Sequence, residues 1–374
     1  MNRIVLSLLI VLAATPLMAQ TGEVRQDRLA AIERVVEQGL SRGEMPGAVV
    51  LIQYKGTPIY FKAFGERQVE PVREPMTLDT VFDLASLTKP VATATCIHKL
   101  LEQGKLSLDV PVMKWIPDFG QNGKEQVTVR HLLTHQGGLI PDNSLSDYLD
   151  GRELAFQRIH ELSLRSPAGE QFAYSDVGFL MLGELVEKVS GQPLAEFAAE
   201  QVFRPLEMRD TTYNPGEPLR MRLAPTEKRD GEWIRGQVHD PRAFALGGVA
   251  GHAGLFSTAG DLARYGQCLL NRGELDGKRI LEPATVNAMF APERVSSGLR
   301  SLGWDKDSPY SSNRGDLLSA SAIGHGGFTG TAMWIDPEQD LILVFLSSRL
   351  HPDGEGSVNL LAGRIFTIAA AALP

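Results

Sequence analysis

Apolar and polar positions alternate along this chain in a few distinct patterns. From Val24 to Leu40 the apolar residues Val24, Leu29, Ile32, Val35, Val36 and Leu40 recur at helical spacing, and Gly43, Pro46 and Gly47 close the pattern. Ala48–Tyr54 and Pro58–Phe64 are short β-rich runs joined by Lys55-Gly56-Thr57. They predict a hairpin, and the nearly continuous apolar character of the first run predicts a buried strand. A proline-marked polar loop covers 66–79. A helix is then expected to open at Ser86 and end near Gly104.

The middle of the chain reads as mainly helical, with helices over 129–134, 179–189 and 261–270 and long connections between them. Residues 209–256 are irregular and rich in Pro, Arg and Gly, and an ordered loop of that length is more often functional than idle. Residues 292–322 read as polar loop, apart from a strand start at Gly303-Trp304. Strands return at Thr329–Asp336 and Leu341–Ser347 around a DPEQD turn, followed by a last helix over 357–371. No internal repeat or low-complexity segment is present.

The extreme N-terminus has another pattern. Arg3 precedes an apolar run from Ile4 to Ala14, and Leu17-Met18-Ala19 ends on a small residue. Residues 1–19 are therefore expected to be an export signal, since the run is shorter than the ~20 residues of a membrane span. The mature protein is expected to be periplasmic or secreted, without stable membrane insertion. The whole chain has 374 residues, 43% of them hydrophobic, ample for one large domain or two intertwined ones. The net charge is −8 and the basic residues are scattered, which argues against nucleic acid and anionic membrane surfaces as partners. Cys96 and Cys268 both fall in apolar helical patterns and read as buried free thiols.

Candidate chemistry begins with Ser86 and Lys89, one turn apart on a helix face. A serine hydroxyl needs a base within reach, and a lysine supplies one when its amine is neutral. Tyr174-Ser175-Asp176 lies between the Pro167/Gly169 turn and a helix, a fixed loop tip that suits a catalytic phenol. Gly324-His325-Gly326-Gly327-Phe328 precedes the late hairpin. Other patterns carry less. Gly39–Gly43 matches G-x-S-x-G but lacks the strand-then-helix context. His131 and His135 stand four apart without the adjacent glutamate or third ligand of a metal site, so no metal and no cofactor are expected.

Ser86-Leu87-Thr88-Lys89, Tyr174-Ser175-Asp176 and His325-Gly326-Gly327, in that order, resemble the motifs of the serine β-lactamase and penicillin-binding protein superfamily. Their spacing is similar to the class C β-lactamase and serine esterase branch. HLLTHQGGL at 131–139, PLEM at 205–208 and GLFSTAGDLARY at 254–265 look like further landmarks of the family. The motifs APTE at 224–227, RGQVHDP at 235–241 and GGVAGHAGLFS at 247–257 look like a narrower subset tied to peptidoglycan. The resemblance implies an α+β fold: an antiparallel sheet from both chain ends, 24–90 and 300–374, flanked by helices, with a mainly helical domain at 91–299 inserted between.

It also implies a serine hydrolase acting on amide bonds of peptidoglycan peptides, of the D,D-carboxypeptidase or muramoyl-alanine amidase type. A small-acyl esterase or weak β-lactamase is the alternative, and a non-catalytic binding or sensing module is a third reading. Ser86 would be the nucleophile and Lys89 or Tyr174 the base, with His325 beside them. The N–H groups of Ser86 and Phe328 would form the oxyanion hole. Asp176, Gly326, Gly327, His239, Asp240 and His252 are candidate substrate contacts, and Arg235 or Arg242 could meet a substrate carboxylate. Two departures weaken a β-lactamase reading: the second motif usually ends in Asn, not Asp176, and the third usually carries a hydroxyl where Gly326 stands. His325 in place of lysine would be a weaker, pH-dependent cation. A monomer is expected.

Overall fold

The computed structural model describes residues 23–374; the expected export signal lies outside the described residues. A nine-stranded antiparallel sheet forms its centre. Its strands are β1 (Gly47–Tyr54), β2 (Thr57–Gln68), β3 (Glu74–Pro75), β4 (Glu293–Val295), β5 (Gly298–Arg300), β6 (Asp305–Asp307), β7 (Ile323–Gly327), β8 (Thr331–Asp336) and β9 (Leu341–Ser347). Across the sheet they run β4-β5-β6-β7-β8-β9-β1-β2-β3. The join between the chain ends is β1 on β9, with Val50 opposite Phe345.

Burial on both faces explains the nearly unbroken apolar runs of the central strands. Val49 and Leu51 of β1, with Ile342, Val344 and Leu346 of β9, pack into the core shared with the helical region. Ala48, Val50 and Ile52, with Leu341, Leu343 and Phe345, point the other way. There they meet the helices Ala31–Ser41 and Asn359–Ala371 through Ile32, Val36, Leu361 and Ile365. Strand side chains alternate between faces, so two covered faces require apolar residues at both parities.

The residues between β3 and β4 form the helical region. Its central helix, Asp176–Ser190, is buried along Val177–Val186, and Gly191 in the left-handed conformation ends it. The helix Thr95–Glu102 packs against it. Both cysteines are free and buried.

One stretch departs from the sequence reading. Residues 292–322, expected as loop apart from a strand start at Gly303-Trp304, contain β4, β5 and β6, the last beginning at Asp305, and form one edge of the sheet. These strands have three residues each, too few to register as alternation, and β4 and β5 are joined only by Ser296-Ser297. The helix expected to open at Ser86 is also irregular: a 3₁₀ turn over Ala85–Leu87, a π segment over Lys89–Ala94, and regular α-helix only from Thr95. Among the described residues no helix is long and apolar enough to cross a membrane.

Candidate active site

The segment before Ser86 is held by a second, small sheet. Phe82–Asp83 pairs with Leu255–Ser257, which pairs in turn with Thr212–Tyr213. Leu84 N donates to Leu255 O at 2.9 Å, and Leu255 N to Thr88 Oγ1 at 3.1 Å. Between them Ala85 takes φ +45°, a left-handed conformation that costs a non-glycine residue about 1–2 kcal/mol. The Asp83 carboxylate stabilises this turn by accepting Ala85 N–H at 2.8 Å. The turn presents Ser86 to a cavity of about 360 Å³ that is also lined by Tyr174, Arg300, Asn313, His325 and Phe328.

Lys89 is fully buried behind Ser86. Its Nζ donates to Ser86 Oγ at 2.9 Å and to the His252 carbonyl at 3.1 Å, and forms an ion pair with Asp176 Oδ1 at 2.6 Å. Burial alone would lower the amine's pKa, but the Asp176 carboxylate and the neighbouring Tyr174 push it above its ordinary value. Lys89 is therefore an ammonium in the resting site. The Tyr174 phenol is raised by burial, against which the Lys89 charge works, so it rests neutral beside Ser86 and Lys89.

Tyr174 is fixed from its sequence neighbours outward. Ser175 caps the helix Asp176–Ser190, accepting Gly178 N–H at 3.0 Å and donating to Ile140 O at 2.7 Å. Ser175 N–H donates to His135 Nδ1 at 3.0 Å, and the His135 ring stacks on Tyr174 with centroids 4.4 Å apart. Tyr310 also stacks on Tyr174, at 4.7 Å. His131 serves elsewhere, accepting Thr128 N–H in a capping box. The two histidines of that pair accept N–H groups from different segments.

β7 brings the third motif against the Ser86 turn. The hydroxyls of Thr329 and Thr331 donate to Asp83 O and Leu84 O at 2.7 and 3.1 Å. A Cβ on Gly327 would lie 2.4 Å from Leu84 O, so only glycine permits this approach. His325 is not the pH-dependent cation expected from the sequence. Burial, then the Arg300 charge, hold its pKa well below the ordinary value, and the ring is neutral. Its Nδ1 lies 2.7 Å from the Gly326 carbonyl, which only accepts; Nδ1 carries the proton, and the buried Nε2 is an unpartnered acceptor.

The second tier of candidates behaves differently. His239, Asp240 and His252 do not line the cavity. The His239 ring pairs with Glu227 at 2.6 Å, and its backbone N–H donates to Asp83 Oδ2. Asp240 caps the helix Pro241–Ala245 and pairs with His252 at 2.9 Å. Donor atoms of Asp176, Asp240 and His252 lie within 4.8 Å of one another, and the Lys89 ammonium already supplies a positive charge beside them. Arg235 and Arg242, expected as carboxylate ligands, are engaged elsewhere, on Glu74 and on the Asn143 carbonyl. The cations on the cavity are Arg300 and Arg349. Arg300 sits on β5 in the stretch read as loop, which is why the sequence did not single it out.

Comparisons with known proteins identify the family and the fold. The Beta-lactamase family profile matches residues 32–365. An N-acetylmuramyl-L-alanine amidase of Bacillus subtilis (strain 168) is 31% identical, over 93% of this chain and 88% of its own. A putative D-alanyl-D-alanine carboxypeptidase of Escherichia coli (strain K12) is 33% identical, over 87% of this chain and 83% of its own. In three dimensions a penicillin-binding protein homolog from Caulobacter crescentus superposes with a TM-score of 0.74 at 24% identity, covering 94% of this chain and 99% of its own. A buried lysine on a serine, a tyrosine against both and a glycine-permitted strand beside them thus sit on a shared fold. The chain belongs to the Beta-lactamase family, in the superfamily of serine β-lactamases and penicillin-binding proteins, and is a serine hydrolase.

Proposed function

We propose that the protein is an exported hydrolase of amide bonds in peptidoglycan peptides or muropeptides, acting through an acyl-enzyme on Ser86. The observation that carries the chemistry is the contact of Lys89 Nζ with Ser86 Oγ at 2.9 Å at the wall of an open cavity. The peptidoglycan substrate is supported by relatives named as an amidase and a carboxypeptidase over most of their length. Export is supported by the apolar run Ile4–Ala14.

In this reading Tyr174 first gives up its own proton to solvent; Ser86 Oγ then attacks the acyl carbon and its proton passes to the Tyr174 phenolate oxygen. Lys89 is already an ammonium and has no lone pair to offer, while its charge lowers the cost of a phenolate at Tyr174. The N–H groups of Ser86 and Phe328 stabilise the oxyanion. Tyr174 returns the proton to the leaving amine, and water then releases the acyl group by the same route in reverse.

The test is mass spectrometry of one disaccharide-pentapeptide muropeptide before and after incubation with the mature protein and with Ser86→Ala. Loss of a terminal alanine identifies a carboxypeptidase, and release of the whole peptide from the sugar a muramoyl-alanine amidase. An unchanged muropeptide with the wild type overturns the peptidoglycan reading. The second reading, a small-acyl esterase, draws on the exposed Phe328 and Tyr310 rings at the cavity, an apolar rim suited to neutral acyl groups.

A further inference from the structure

Asp83 is only 3% exposed, and its carboxylate holds two separate segments at once. Oδ1 accepts the Ala85 N–H at 2.8 Å, and Oδ2 accepts the His239 backbone N–H at 2.6 Å. Both oxygens act as acceptors, as those of an ionised carboxylate do. Burial pushes its pKa up, and the two N–H donors oppose that rise. A carboxylate is costly to bury, so what these two bonds hold in place accounts for its position.

Each bond leads to one half of the oxyanion site. Ala85, at φ +45°, stands directly before Ser86, whose N–H is the first donor. The His239 ring stacks on Phe328, with centroids 5.6 Å apart and planes inclined by 27°, and the Phe328 N–H is the second donor. The main chain of Asp83 adds a third tie. Its carbonyl accepts the Thr329 hydroxyl at 2.7 Å, one residue beyond Phe328. The two donors come from distant parts of the chain, and Asp83 touches the neighbours of both.

We propose that Asp83 is a positioning residue for the oxyanion hole, which sets the spacing of the Ser86 and Phe328 N–H groups by holding Ala85 and His239 on one carboxylate. Asp83 does not line the cavity, so it acts through these neighbours and not on the substrate. Two donors stabilise an oxyanion only when both are aimed at the same oxygen, and a misplacement of about 1 Å costs up to about 10²-fold in rate. The inference rests on the reading of Ser86 as the nucleophile and of these two N–H groups as the donors, but not on peptidoglycan being the substrate.

The test is hydrolysis of 4-nitrophenyl butyrate by the wild type, Asp83→Ala, Ala85→Gly and the double variant, with kcat expressed per active serine. Active serine is counted from the 4-nitrophenolate released when Ser86 Oγ takes the phosphoryl group of diethyl 4-nitrophenyl phosphate, so unfolded protein drops out of the rate. Asp83→Ala should lower kcat about 10²-fold and leave KM within about twofold, because the oxyanion forms only in the transition state. Glycine takes a positive φ without strain, so Asp83→Ala should cost about tenfold less when Ala85→Gly is also present. A merely structural role would move neither the rate per active serine nor its recovery by glycine. Asp83→Asn keeps the side-chain volume and one of the two acceptors, should lose part of kcat, and carries the comparison where Asp83→Ala does not fold. An unchanged kcat per active serine in either Asp83 variant, or the same cost of Asp83→Ala with and without Ala85→Gly, overturns the proposal. Ester hydrolysis that survives Ser86→Ala overturns the reading of Ser86, and an uncut muropeptide overturns the peptidoglycan reading alone.

Discussion

The Lys89 ammonium lies 2.6 Å from Asp176 Oδ1, fully buried, so the position that usually carries an amide in this family holds the counter-charge of the lysine instead. The carboxylate acts on both neighbours in the same direction. It raises Lys89, and it raises Tyr174.

Asp176→Asn removes that effect, so both groups should titrate lower. As a base, Tyr174 gains activity as pH rises through its pKa; Lys89 supports it only while protonated. Lowering both values moves the rising and the falling limbs of the kcat/KM profile to lower pH. Profiles of 4-nitrophenyl butyrate hydrolysis for the two proteins check this, and coincident limbs would show that Asp176 does not set the charges.

Tyr174→Phe deletes the proposed proton acceptor while leaving the stack on His135 and Tyr310 in place. The expected result is a loss of about 10²–10⁴ in kcat with little change in KM. Steady-state kinetics on the same ester measure it. A variant that kept full activity would shift the role of base to a Lys89 that gives up its proton to Asp176.

Restoring the family's hydroxyl at position 326 should fail in this chain. In Gly326→Thr the new Cβ meets Asn313 Nδ2 at 2.3 Å, and overpacking of this kind costs about 1–3 kcal/mol. Asn313→Ala clears the space, so the double variant should be more stable than the sum of the single changes allows. Urea unfolding of the four proteins gives the coupling directly; additivity would mean that the two positions do not meet.

Acid should destabilise the fold before it protonates the carboxylates. His98 is buried, its Nε2 on the Leu302 carbonyl, and burial lowers its pKa to about 4. Between about 6.5, the unfolded value, and that folded value the unfolded chain binds the extra proton, so stability falls as pH drops through this window. The loss from His98 is on the order of 3 kcal/mol. Denaturant midpoints at pH 7 and pH 5 capture about 2 kcal/mol of it, and His98→Gln should flatten the slope.

The sequence carried the central strands because both faces of each are covered, and it carried the three motifs because local chemistry marks them. Ser86, Lys89, Tyr174 and His325 do meet. What stayed hidden depends on distance across the chain. Arg300 lies on a three-residue strand with no readable alternation, and Asn313 on a short 3₁₀ turn. Nothing local says that either faces Ser86. The neutrality of His325 was equally invisible, because it follows from burial and from Arg300, not from the motif.

The pairing of β1 with β9 has a consequence for how the protein is made. Val50 finds Phe345 only after the whole helical region has left the ribosome. Through most of synthesis the buried, largely apolar β1 therefore has an open flank, a template for pairing with the wrong chain. For this fold the hazardous interval is elongation itself. The protection a sheet edge normally needs must come from outside the chain until β9, near its end, arrives.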